Sequence, residues 1–182
     1  MGRQDRKQND EVKLSKILRF GSIGLGIVLV IIQLVPNELP PVEPRPATDL
    51  LASGDVPEAV ASMLKTSCYD CHSVESTYPW YSRVAPSSWL VASDVREARE
   101  ELNLSEWKNL PKRKKIKNLE NIKDEVGEGH MPMPIYLVLH WDAKLTDEQR
   151  KQIVDWANAY QDQILSEPEP EEEEDEDSDD ES

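Results

Sequence analysis

Apolar residues along the chain recur at helical spacing, and no segment alternates convincingly between apolar and polar positions. The spacing predicts a helix from Lys112 to Val126 that ends at Gly127, and a last helix that a capping box at Thr146 begins. The apolar positions of these two helices are Ile116, Leu119, Ile122, Val126, Ile153, Trp156, Tyr160 and Ile164. No internal repeat is present, and the sequence predicts an all-α domain.

Two further helix starts can be identified from their first residues. Asp55-Val56-Pro57-Glu58 has the form of a capping box with an early proline, and it predicts a helix that runs towards Cys68. Ser87 or Ser88 can cap another helix. The apolar stripe of that helix is expected to contain Trp89, Leu90, Val95 and Leu102.

The longest apolar segment lies near the N-terminus. A helix over the uncharged residues 20–37 covers roughly 27 Å, which is enough for the hydrocarbon core of a bilayer. A cleaved signal peptide has a similar pattern, but no small-x-small pair follows the apolar run, which favours an uncleaved membrane anchor. Residues 1–19 carry six basic and three acidic side chains. The positive-inside bias therefore predicts a cytoplasmic N-terminus and a C-terminal domain in the periplasm.

Composition divides the rest of the chain into three parts. Residues 38–47 are rich in proline and predict an extended spacer that holds the domain away from the membrane. Residues 48–165 contain all five tryptophans and all five tyrosines, so the folded domain is expected there. Residues 166–182 carry twelve acidic and no basic side chains and are expected to be a disordered, solubilising tail, with docking to a basic partner or cation binding as alternatives.

Charge and composition also exclude classes of function. The formal net charge is -15, so the chain is not expected to bind nucleic acid. Seven glycines and one phenylalanine beside thirteen prolines argue against a β-sandwich or a nucleotide-binding sheet. No Ser-His-Asp or Cys-His catalytic set is found, and we predict that the protein is not an enzyme.

The motif that carries chemistry is Cys68-Tyr69-Asp70-Cys71-His72. Two thiols one helical turn apart can add to the vinyl groups of a haem, while the adjacent histidine binds the iron. We therefore predict one covalent haem c held by Cys68, Cys71 and His72. A redox-active thiol pair is expected in a βαβ context, which this pattern lacks, and a zinc site would need further ligands such as His130 or His140.

A second iron ligand is expected from the segment Gly129-His130-Met131-Pro132-Met133-Pro134. A thioether binds ferrous iron well, and the prolines stiffen the loop that presents it, so Met131 is the predicted ligand. Met133 offers the same chemistry two residues later. His130 and His140 remain as bis-histidine alternatives.

Aromatic and basic residues follow the haem motif closely. Indole, phenol and guanidinium groups can donate to buried haem propionates, so Arg83 and Trp89 are candidate haem contacts. Arg99 is a further candidate for a propionate. Plain packing is the alternative role for each aromatic residue in this stretch.

Several short segments together resemble the bacterial haem-binding domain proteins, a cytochrome c-like family frequent in Bacteroidetes and related bacteria. These segments are residues 68–72, 76–81, 86–89, 102–107, 131–132 and 139–140. The resemblance covers about residues 56–160 and implies an exported single-haem domain with His72 as proximal ligand. Ala98 stands where the family's Gly-Arg pair has glycine, and the acidic tail is not part of the family pattern.

From these observations we expect a cytochrome c-like, single-haem helical domain behind a transmembrane helix. Its expected function is one-electron transfer with redox partner proteins outside the cytoplasmic membrane. A haem-based sensor or small-ligand-binding module is the alternative, and it requires a labile or absent second ligand. A zinc or thiol-redox domain is the third hypothesis.

Overall fold

The structure, a computed structural model, describes residues 2–168, and within them every regular element is helical. The seven α-helices are α1 Gly2–Ile32, α2 Glu58–Ser67, α3 Tyr69–His72, α4 Ser87–Glu101, α5 Lys112–Gly127, α6 Pro134–Leu137 and α7 Asp147–Ser166. Short 3-10 helices lie at Leu50–Ala52, Trp80–Arg83, Leu104–Asn109 and Trp141–Ala143. The all-α prediction is confirmed for this part of the chain. Of the predicted tail, residues 166–182, only the first three are described, and Ser166 is the last residue of α7.

The core forms where α5 packs along α7. The predicted apolar positions Leu119, Ile122, Val126, Ile153, Trp156, Tyr160 and Ile164 are all buried. Each such side chain contributes about 2 kcal/mol when it leaves water. Trp107 is also buried, and its indole N–H donates to the Tyr160 hydroxyl at 3.1 Å.

The start of α7 and the end of α5 follow the sequence signals. The Thr146 hydroxyl accepts the Gln149 backbone N–H at 3.2 Å, and the Gln149 side chain accepts the Thr146 N–H at 2.9 Å. The predicted capping box is therefore confirmed, and it satisfies two backbone donors. Helix α5 ends at Gly127, as predicted.

The other two predicted caps are wrong. Helix α2 has Pro57 at its N-cap and no side-chain cap, because the Asp55 carboxylate instead accepts the Tyr160 hydroxyl at 3.1 Å. Helix α4 begins at Ser87, whose hydroxyl donates to the backbone carbonyls of Tyr81 and Val84. The side chains of Asp55 and Ser87 thus form hydrogen bonds elsewhere in the fold instead of capping the two helices.

Helix α1 contains a candidate membrane span. Its segment Ser15–Ile32 has a mean hydropathy of 1.9 with none of its residues buried, so it is long and apolar enough to be a membrane span or a signal sequence. The helix ends at Ile32, five residues before the end of the predicted 20–37 segment. There, the Gln33 side-chain amide pairs with the backbone N–H and C=O of Ala85 at 2.9 and 3.0 Å.

The proline-rich residues 38–47, for which we predicted an extended spacer, lie against the domain. The Glu43 N–H donates to the Val74 carbonyl at 2.8 Å, which fixes this extended segment beside the haem motif. The carbonyl of Pro40 accepts the Tyr78 hydroxyl at 2.9 Å, and that of Pro41 accepts Arg99 at 3.0 Å. Proline carbonyls remain free in an extended segment, so they can accept these bonds.

Candidate functional site

The five-residue motif forms one helical turn directly after α2. The backbone N–H groups of Cys71 and His72 both donate to the Cys68 carbonyl, at 3.2 and 2.9 Å. Tyr69 connects this turn to the core, because its side chain is buried and its hydroxyl donates to the Asp49 carboxylate at 2.8 Å. The two cysteines and His72 therefore have fixed positions relative to the core.

The imidazole of His72 is oriented by the end of α4. Its Nδ1 lies 3.0 Å from the carbonyl oxygens of both Ala98 and Leu102. A carbonyl can only accept, so Nδ1 carries the proton and Nε2 keeps its lone pair. Burial lowers the pKa of His72, with the two carbonyl bonds opposing the shift. The ring is thus a neutral imidazole with one nitrogen available to a metal.

The two thiols are protonated at neutral pH. Burial raises the pKa of Cys68 to about 12, and the neighbouring Cys71 adds to the effect. Burial also raises the pKa of Cys71 to about 11, together with the charges of Asp70 and Asp94, while the charge of Arg99 opposes the shift. A redox-active Cys-x-x-Cys pair has lowered thiol pKa values, so this environment argues against that alternative.

Three cavities with shared walls surround the motif. A cavity of about 240 Å³ is lined by Cys68, Cys71, His72, Met131 and Met133. A second, of about 340 Å³, also contacts Cys68, His72 and Met131, and continues along α5. A third, of about 290 Å³, begins at Cys71 and Met133 and continues between aromatic side chains. The structure therefore brings four of the six predicted site residues together.

Met131 is positioned by α5 and α7. Its N–H donates to the Glu125 carbonyl at 3.0 Å, and its own carbonyl accepts the Arg150 guanidinium at 2.7 Å. The same guanidinium donates to the Val126 carbonyl at 3.0 Å, so it links the loop to the end of α5. Met131 packs against the core and shares two cavities with His72, whereas Met133 shares one.

The two alternative histidine ligands differ in position, since only His140 lines one of the three cavities. His130 is on the surface beside Glu125 and Glu128, with Nδ1 3.5 and 3.6 Å from their carboxylates, and it lines none of the three cavities. His140 lines the aromatic cavity. Its Nε2 lies 2.7 Å from the Tyr81 hydroxyl, and its ring stacks on Tyr136 with centroids 4.1 Å apart.

The predicted propionate contacts are not on the cavity walls. Arg83 is exposed and lies at the junction with Gln33, near the end of α1. Trp89 is half-buried outside the three cavities, and its buried indole N–H has no hydrogen-bond partner within residues 2–168. Arg99 also lies off these walls, where it donates to the Ser76 hydroxyl at 3.0 Å as well as to Pro41.

Sequence reasoning missed a contact that connects the motif to α6. The Asp70 carboxylate accepts the Tyr136 hydroxyl at 3.1 Å and the Thr77 N–H at 2.9 Å. Burial raises the pKa of Tyr136, with Asp70 contributing, so the phenol remains a donor. No periodicity marks this pair, because Asp70 is an unspecified position of the motif and α6 is one turn long.

A zinc site at these residues lacks its ligands in the described chain. Among residues 2–168, no group of three or more histidine, cysteine, aspartate or glutamate side chains is arranged to hold a metal ion. The donor set near the cysteines is one imidazole and two thioethers, which suits iron in a porphyrin that supplies its own four nitrogens.

The donors and the cavities fit a haem. A neutral imidazole, two thiols and a thioether line one largely apolar space, which is where a flat apolar cofactor with a central metal can be held. No curated protein and no solved structure matches the chain. A family model described as "Haem-binding domain" matches residues 27–159, which is more than half of the chain. The chain therefore belongs to the haem-binding domain family.

Proposed function

We propose that the chain is a membrane-anchored, exported protein that carries one covalent haem c and transfers single electrons to and from partner proteins. The observation that carries this proposal is the orientation of His72, whose Nδ1–H is held by two carbonyls while the ring lines the same cavity as both cysteines and Met131. We propose an electron carrier, with no bond-making reaction assigned to it.

The groups that this chain would supply for attachment are the two thiols of the motif. Each S–H adds across a vinyl C=C bond, so that sulfur bonds to one carbon and hydrogen to the other, with no net oxidation or reduction. One helical turn separates Cys68 from Cys71, which suits two such bonds to one ring.

His72 and Met131 are the residues proposed to hold the iron of a bound haem. The bound haem supplies reversible one-electron chemistry at its iron, and a methionine ligand raises the reduction potential relative to a histidine. Both side chains are held by backbone contacts, His72 through α4 and Met131 through Glu125 and Arg150. Ligands held in this way need little rearrangement between two oxidation states, which favours electron transfer.

The N-terminal helix supports the proposed location. Its Ser15–Ile32 segment is the candidate span, and the basic residues that precede it favour a cytoplasmic N-terminus. The domain that follows is then periplasmic, where haem c attachment through thiols takes place. The contact of Gln33 with Ala85 holds the domain next to the end of this helix.

The absorption spectrum of the ferrous, haem-loaded protein with and without carbon monoxide tests the electron-carrier assignment. We expect carbon monoxide to leave the spectrum nearly unchanged, because His72 and Met131 would both bind the iron and leave no free coordination position. A redox titration of the same sample is expected to follow a one-electron curve. An immediate spectral shift with carbon monoxide would instead show an open iron, as a haem-based sensor or ligand-binding module requires.

A further inference from the structure

The N-terminal half of α5 carries a dense group of positive charges. With the preceding lysine these charges form the basic face, a group of side chains around the start of α5 that consists of Lys108, Lys112, Arg113, Lys114, Lys115 and Lys117. None of these six side chains forms an ion pair with a carboxylate within residues 2–168. Lys108, Arg113 and Lys117 are exposed.

This arrangement is unfavourable for the helix that carries it. Arg113 and Lys117 are four residues apart on one helix, and like charges at that spacing destabilise it by about 0.2–0.5 kcal/mol for each pair. Positive charge in the first turns also opposes the helix dipole, whose N-terminal end is positive. The basic face therefore does not stabilise α5 on its own. A negatively charged partner would offset both the repulsion between like charges and the unfavourable interaction with the helix dipole.

The last described residues, Glu167 and Pro168, lie beside the basic face. A cavity of about 680 Å³ is lined on one side by Lys108, Lys112 and Lys115, and on the other by Glu167 and Pro168. The Lys112 ammonium donates to the carbonyl of Leu165 at 3.4 Å and also to that of Glu167. Asp55 lines the same cavity, but its carboxylate accepts the Tyr160 hydroxyl.

The fourteen residues that follow Pro168 have the complementary charge. Residues 169–182 contain eleven acidic and no basic side chains. Fourteen residues can extend over roughly 45 Å, and α5 is only about 24 Å long, so every part of the basic face is within their reach. A segment tethered this closely has an effective concentration of the order of millimolar at the face.

We propose that the acidic segment 169–182 binds the basic face of its own chain. The basic face is then a docking surface for carboxylate-rich protein segments, and this segment is its occupant in the free protein. An acidic partner must displace the segment before it can dock. The same helix also lines the cavity beside His72. Its residues there are Ile122 and Val126, which lie about two turns after the basic face.

Zero-length carbodiimide crosslinking of the full, haem-loaded chain tests this proposal. The reagent joins a carboxylate to an amine only where the two are in contact, and peptide mass spectrometry identifies the joined residues. At low ionic strength and low protein concentration, we expect crosslinks within one chain between residues 169–182 and the lysines of the basic face. They are expected to disappear at high ionic strength, since the attraction between solvated charges is screened.

Two charge-matched variants complete the experiment. In the first, Arg113→Gln, Lys115→Gln and Lys117→Gln remove three charges from the basic face, and we expect the crosslinks to the remaining Lys114 to be lost. In the control, Lys65→Gln, Lys144→Gln and Arg83→Gln remove three exposed charges elsewhere, and the crosslinks are expected to persist. An unchanged haem spectrum shows that each variant is folded, so the result does not depend on the proposed electron transfer.

Three results would overturn the proposal. They are an absence of intrachain crosslinks at low ionic strength, equal crosslinking in the two variants, and crosslinks that form only between chains. The last result would mean that the basic face binds the acidic segment of a second copy.

Discussion

The thiols of Cys68 and Cys71 lie in a desolvated environment that keeps them protonated. Their raised pKa values have burial as the main cause, and nearby negative charges act in the same direction on Cys71. Reactive cysteines lie in electropositive surroundings, whereas the carboxylates of Asp70 and Asp94 lie near Cys71. Protonated thiols are instead compatible with addition to a vinyl group.

Alkylation of the haem-free chain by iodoacetamide is expected to be slow when the chain is folded. The thiolate is the reacting form, and its population falls tenfold for each unit by which the pKa is raised. At neutral pH we expect both cysteines to react at least about tenfold more slowly than in denaturant, and the rate to rise with pH through the alkaline range. Equal rates in the folded and denatured chain would contradict this environment for the thiols.

Met131 and Met133 differ in how they are placed, although the sequence presents them as equivalent. Met131→Ala is expected to abolish the long-wavelength sulfur-to-iron absorption of the oxidised protein and to lower the reduction potential, because the thioether that raises it is lost. Met133→Ala serves as the matched control and is expected to keep the band. Retention of the band in Met131→Ala, with its loss in Met133→Ala, would move the ligand assignment to Met133.

Among the helices, the elements that the sequence predicted well are the long amphipathic ones. In α5 and α7 the apolar period of 3.6 residues coincides with the buried face, and α7 also has a complete capping box. The wrong caps, at Asp55 and Ser87, are polar groups that a local pattern can describe in two ways. Which bond such a group makes depends on residues distant in sequence, such as Tyr160.

The capping box of α7 gives a test of element stability. Thr146→Ala removes the hydroxyl that accepts the Gln149 N–H, and it is expected to lower the free energy of unfolding by about 1 kcal/mol. Thr66→Ala, at an exposed position within α2 where the hydroxyl only donates to the Ser62 carbonyl, is expected to change it by much less. Chemical denaturation followed by circular dichroism measures both values. Equal effects would show that the cap does not stabilise α7.

At the scale of the molecule, the sequence indicated the architecture but not how its parts join. An all-α domain behind an apolar helix follows from periodicity and hydropathy alone. The docking of residues 38–47 could not be predicted, since it depends on proline carbonyls meeting Tyr78 and Arg99 across the fold. Arg83 was predicted to contact the haem because of its aromatic neighbours, yet it lines a different pocket together with Gln33.

The candidate site shows the same division. The five-residue motif and Met131 could be proposed as the site from the sequence, because the argument for them depends only on residue types and their spacing. The groups that orient them could not. Two are backbone carbonyls, one in α4 and one at the residue that follows it, and the others are Arg150 of α7 and the Asp70–Tyr136 pair. None of them has a sequence signature.

The central claim is that a single haem is covalently attached to Cys68 and Cys71. It is tested most directly by the intact mass of the denatured protein after production in a host equipped for cytochrome c maturation. We predict the mass of the polypeptide plus one haem, with the added mass located by fragmentation on the peptide that contains both cysteines. A mass equal to that of the polypeptide alone, from a sample that releases its haem in denaturant or never bound one, would contradict the account.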